Sequence, residues 1–150
     1  YFIACFERLV IDAYTPYFGR CFAWYRPLRI WCCLRFDDHR GLVPSTMRMV
    51  GGNFKATLVR TKTSGVGKRR EELYIHCDAK AFVFESSWLA VGFELWLRAG
   101  VNRDFLLMLP SSNVDAFVEL EAQYADSQAC SRAALLLFRT PSGDPLITVP

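Results

Sequence analysis

Between Leu58 and Ile75 the chain reads LVRTKTSGVGKRREELYI, two runs of strand-forming residues around a glycine-containing turn. Leu58, Val59, Leu73, Tyr74 and Ile75 are the aliphatic, β-branched and aromatic types that suit a pleated surface, and Ser64, Gly65 and Gly67 supply the turn between them. The middle of the chain is thereby committed to an antiparallel hairpin. Five cations, Arg60, Lys62, Lys68, Arg69 and Arg70, sit on or beside it. On strand geometry Arg60 and Lys62 point to the same face, so both could approach one anionic ligand. The same charges would also keep an exposed hairpin soluble and stop its edge from pairing with other chains. The turn is not a nucleotide-binding loop, since the position five residues before Gly67 is Lys62 instead of glycine, and Lys68 is followed by Arg69 instead of Ser or Thr.

The rest of the chain supplies helices and one more strand signal. Phe2, Phe6, Leu9, Val10 and Ala13 fall at three- and four-residue steps, which predicts a helix over residues 1–15 closed by Pro16. A second helix is expected over about 18–36, with Pro27 kinking or dividing it and Arg35, Asp38 and His39 at its end. Three strands in meander order are expected over about 47–50, 55–62 and 69–76, the first two joined at Gly51-Gly52-Asn53. Ser86 and Ser87 read as the cap of a helix over 88–98, and Ala129, Ala133, Leu136 and Leu137 fall at helical steps within a last helix over 125–138. The predicted fold class is α+β, mainly α-helical with a small three-stranded antiparallel sheet.

Composition narrows the function classes. With 150 residues, 52% hydrophobic and 15% aromatic, the chain has one domain's worth of length and ample material for a core, which excludes a disordered protein. A net charge of +3 is too small for a protein that coats nucleic acid, so anion binding must come from local clusters such as the hairpin. The six cysteines form no C-x-x-C pair, and with only His39 and His76 to add, a four-ligand zinc site has no support. Buried free thiols in a reducing compartment are the expectation. No signal peptide is visible, and the apolar stretch 18–34 is broken by Arg20, Arg26, Pro27 and Arg29, unlike a membrane span of about 20 nearly uncharged residues.

Several motifs, in order, carry a family likeness. LRFDDHRGL at 34–42 resembles the first arginine motif of tyrosine recombinases, with Arg35 and Asp38 at the matching positions, and TLVRTKTSGVGKRR at 57–70 resembles the strand and turn that carry their active-site lysine, matched by Lys62. With the Trp88–Trp96 and Arg103–Pro110 runs, the pattern is most similar to recombinases of DIRS-type retrotransposons and related eukaryotic mobile elements, over about residues 20–138.

The resemblance implies the front half of a catalytic domain for DNA recombination and integration. Residues 1–150 would then be a single partial domain, with 1–17 assignable to a preceding helical segment. Arg35 would fork onto the non-bridging oxygens of a DNA phosphate, Lys62 would protonate the leaving 5′ oxygen, and Asp38 would orient the arginine or the helix end around it. Arg60, Lys68, Arg69 and Arg70 would hold the DNA backbone. No nucleotide, redox or metal cofactor is implied. The partners would be DNA and, in a full-length protein, further copies on DNA, in the nucleus and without a membrane. From spacing alone, without the resemblance, Arg35 and Asp38 read as an ordinary i, i+3 ion pair at a helix end.

The likeness stops short of a complete active site. The family's His-x-x-Arg motif has no counterpart, since His39 is followed three residues later by Leu42 and His76 by Ala79, and none of the six tyrosines falls where the nucleophile belongs. As this chain stands, cleavage of DNA is not expected. A fragment of a longer recombinase and the remnant of a decayed element both fit. A non-catalytic DNA-binding module is the alternative, and a helical domain that binds protein through its aromatic N-terminal segment is a third reading.

Overall fold

The computed structural model of the chain describes residues 1–59, 72–98, 105–107, 109–117 and 125–137. Helix α1 (Phe2–Ile11) buries Phe6, Glu7 and Val10 on one stripe. It ends four residues before the expected limit because Asp12 turns its carboxylate onto the following chain, where Oδ1 accepts the Tyr14 N–H (3.0 Å) and Oδ2 the Thr15 hydroxyl (2.8 Å). Those two bonds hold the Asp12 carboxyl below its ordinary range. Helix α2 (Tyr17–Trp31) follows from Pro16, and its Arg20 Nε donates to the Val10 carbonyl (2.8 Å), satisfying an acceptor left open at the end of α1.

Helix α2 carries Pro27 within it but stops at Trp31, five residues short of the expected 36. The termination is a double main-chain closure: the Cys33 N–H donates to the Ile30 carbonyl (3.1 Å) and the Leu34 N–H to the Arg29 carbonyl (2.8 Å), with Cys33 at φ 53°. That is the geometry in which glycine usually ends a helix, here adopted by a cysteine. A single 3-10 turn over Phe36–Arg40 then leads to Gly41.

The sheet is the expected meander, three antiparallel strands in the order β1 (Leu42–Val50), β2 (Asn53–Val59) and β3 (Glu72–Cys77). Gly51 (φ 58°) and Gly52 (φ 82°) form the two-residue turn between β1 and β2, both in the positive-φ region such a hairpin requires. Strand β1 begins five residues earlier than expected. It crosses Pro44 through an irregularity between Val43 and Arg48, where the Thr46 hydroxyl donates to the Val43 carbonyl (2.7 Å) and accepts the Thr57 N–H (2.9 Å) in place of a ladder bond.

The core lies between the inner face of the sheet and the helices. Phe54, Ala56, Leu58, Ile75 and Cys77 line that face, and Phe54 meets Trp24 of α2 (5.8 Å, 85°) and Phe93 of α3 (6.1 Å, 69°) edge to face. Helix α3 (Trp88–Arg98) has its expected bounds. Ser87 stands at its cap position, its carbonyl accepting the Val91 N–H (3.0 Å), but its hydroxyl donates to Glu85 (2.8 Å). The last helix, α4 (Ser127–Leu137), starts two residues later than expected, because the Asp126 carboxylate caps it by accepting the Ala129 N–H (2.8 Å). It buries Cys130 and Ala133, whereas Leu136 is half exposed. The fold is α+β, four helices with one three-stranded antiparallel sheet among the described residues.

Candidate phosphate-binding site

The closure of α2 at Cys33 and Leu34 delivers Arg35 to the start of the 3-10 turn, not to the end of a helix. Its backbone is extended (φ −69°, ψ 162°), its side chain is exposed, and its main chain is pinned at both polar groups. The Arg35 N–H donates to Asp38 Oδ2 (2.8 Å), and the Arg35 carbonyl accepts the Asp38 N–H (3.1 Å). Asp38 thus bonds the main chain of Arg35 through both its carboxylate and its backbone. The bond runs through the backbone of Arg35 and leaves the cap position, not a helix end, as its context.

His39 is fully buried beneath this turn. Its ring meets Tyr25 (5.5 Å, 78°) and Phe36 (4.9 Å, 77°) edge-on, with Nδ1 against the Phe36 carbonyl and 3.2 Å from the Tyr25 hydroxyl. Burial lowers the imidazole pKa and raises that of Tyr25 to about 12. Both groups are neutral at neutral pH and serve as packing for the floor of the turn.

A further cation belongs to this neighbourhood. The guanidinium of Arg29 lies over the rings of Tyr25 (5.5 Å) and Phe36 (5.3 Å), so it stands beside the residue that follows Arg35. Sequence reading used Arg29 only as an interruption of an apolar stretch. The signal for its stacking was the i, i+4 spacing from Tyr25.

The exit of β2 toward the lysine hairpin is fixed to the same turn. The Val59 N–H donates to the Gly41 carbonyl (2.8 Å), and a β-carbon at Gly41 would stand 2.1 Å from the Val59 carbonyl oxygen, so only glycine permits this approach. Gly41 closes the turn by donating to the Asp38 carbonyl (3.0 Å). Arg60, Lys62, Lys68, Arg69 and Arg70 lie outside the described residues. Val59, the last described residue before them, is thus bonded to the segment that begins at Arg35.

Among the described residues no three His, Cys, Asp or Glu side chains converge as a metal site, and no helix is long and apolar enough to cross a membrane. Of the cysteines, Cys21, Cys77 and Cys130 are buried, Cys5 and Cys32 half-buried and Cys33 exposed. The expectation of buried thiols therefore fails at Cys33, which the closure of α2 turns outward. The site's chemistry is that of an exposed arginine on a main chain held at both ends, able to offer a two-pronged donor set to an oxyanion. Comparison with protein-family models, with curated proteins and with solved structures finds no match to this chain.

Proposed function

We propose that this chain is the front half of the catalytic domain of a site-specific DNA recombinase of the tyrosine type, from a mobile element, in which Arg35 and Lys62 hold the phosphate to be broken and rejoined. The observation that carries the reading is the bond between Val59 and Gly41, which ties the strand leading into the lysine hairpin to the turn that presents Arg35. In this reading Arg35 stabilises negative charge on the non-bridging oxygens as a nucleophile attacks, and Lys62 gives its proton to the leaving 5′ oxygen. Asp38 is a positioning residue that fixes the Arg35 backbone. Arg60, Lys68, Arg69 and Arg70 neutralise neighbouring phosphates. The 150 residues hold no His-x-x-Arg, so they account for phosphate binding and not for cleavage.

Two measurements test it. Duplex DNA binding by the chain should weaken with salt, and Arg35→Ala and Lys62→Ala should each lower the slope of log K against log salt by about one. Binding that ignores salt, or slopes unchanged in both variants, overturns the reading. Sequencing the transcript through the codon for Pro150 separates recombinase from binding module. A His-x-x-Arg and a later tyrosine in the continuing frame support the first, and an immediate stop codon leaves only the second.

A further inference from the structure

The outer face of the sheet carries a row of basic residues that the reading above does not use. Arg48 on β1 pairs in register with Lys55 on β2, and Lys55 pairs with His76 on β3, so the three side chains stand abreast on one face, across about 10 Å. The next row along places Thr57 opposite Tyr74, whose side chain is 87% exposed. Together with Ser45 and Thr46 these residues line an open groove of about 600 Å³. Like charges directly opposite each other on a sheet destabilise it, and the carboxylate that β3 itself carries, Glu72, sits at its far end beyond Tyr74, while Asp78 follows the strand two residues after His76. A pair of cations held abreast by strand register, beside a bare aromatic ring, is complementary to a ligand that is anionic along its backbone and flat at its side groups.

We propose that this face binds single-stranded nucleic acid, with Arg48 and Lys55 on the phosphates and the Tyr74 ring stacked on a base. A duplex keeps its bases stacked on each other and offers no base face to Tyr74, whereas a single strand can splay a base onto the ring while its backbone follows the cationic row. His76 extends the row at the edge of the same groove.

The test is fluorescence anisotropy of the chain with labelled oligothymidylate over a range of salt. Tyr74→Ala should weaken binding roughly five- to 150-fold, the loss of one stacked base, while Tyr74→Phe retains it. Arg48→Ala and Lys55→Ala should each flatten the dependence of log K on log salt by about 0.7. Equal affinity in Tyr74→Ala, or an equal-length duplex competing as well as the single strand, overturns the proposal. So does Tyr74-dependent binding of an acidic phosphopeptide or of anionic vesicles without binding of oligothymidylate. Binding that disappears in Arg35→Ala and Lys62→Ala but persists in the sheet variants assigns the anion to the other site, and also overturns it.

Discussion

The indole of Trp24 occupies the space in which a side chain at Gly92 would have to begin: a β-carbon there would stand 2.0 Å from Cδ1 and 2.2 Å from Cγ of the ring. Helix α3 therefore rides directly on the tryptophan, whose Nε1 donates to the Leu89 carbonyl one turn earlier (3.2 Å). The ring cannot yield, since it is 1% exposed and packed against Phe54 and Phe93. Gly92→Ala should cost about 1–3 kcal/mol despite the better helix propensity of alanine, read as a lower midpoint of equilibrium urea unfolding. An unchanged midpoint would show that α3 slides freely over the indole.

Glu7 is fully buried in α1, and its carboxylate accepts three successive main-chain N–H groups, from Val83 (2.9 Å), Phe84 (2.8 Å) and Glu85 (3.0 Å). This side chain ties the segment before α3 to α1, beside the Arg8 guanidinium, which lies over the Phe84 ring (5.4 Å). Glu7→Gln replaces one accepting oxygen with an amide that can only donate, leaving buried donors unmatched. It should cost at least about 2 kcal/mol in the same unfolding experiment. Faster proteolysis around residues 82–85 in the native variant would confirm that the loss is local to that contact.

His39 makes stability depend on pH. Its folded pKa is lowered from 6.5, first of all by burial, so below that value the unfolded chain binds a proton that the folded chain resists. The contribution is fully present above pH 6.5 and is lost as pH falls through the unfolded and then the folded value. Unfolding midpoints should therefore drop between pH 7 and pH 5, and the drop should be smaller in His39→Asn, which keeps a donor in place of Nδ1 without titrating. Equal slopes in the two proteins would reject His39 as the source.

The thiols at the end of α2 should differ in reactivity. Cys33 is exposed, whereas the half-buried Cys32 thiol donates to the His76 carbonyl (3.8 Å), and the neighbouring Cys77 thiol together with burial raises the Cys32 pKa. Iodoacetamide at about pH 8 should modify Cys33 first and Cys32 slowly. In Cys33→Ser the fast phase of labelling, followed by mass spectrometry, should vanish. A fast phase that survives and maps to Cys32 would mean that Cys32 is not held protonated.

Signals confined to a few neighbouring residues were legible without the structure. The bounds of α3, the Gly51-Gly52 turn and the alternation along β2 follow from apolar steps and from glycine's access to positive φ. The end of α2 was not legible, because Cys33 takes the helix-ending conformation where glycine would have announced it. The early start of β1 was hidden by Pro44, whose broken ladder is repaired by a threonine side chain two residues on.

For the candidate site the division is similar. Arg35 and Asp38 stood out by their spacing, but that Asp38 binds the backbone of Arg35 depends on where α2 stops. Arg48, Lys55 and His76 are unremarkable in the sequence, separated by 7 and 21 positions, and become neighbours only through strand register. By itself the sequence determined which segments are helices and strands and where glycine must turn the chain, since those depend on local steric and hydrophobic periodicity. Only the tertiary structure decided which charges stand together and which polar groups are buried, because those depend on hydrogen bonds and register between segments far apart in the chain.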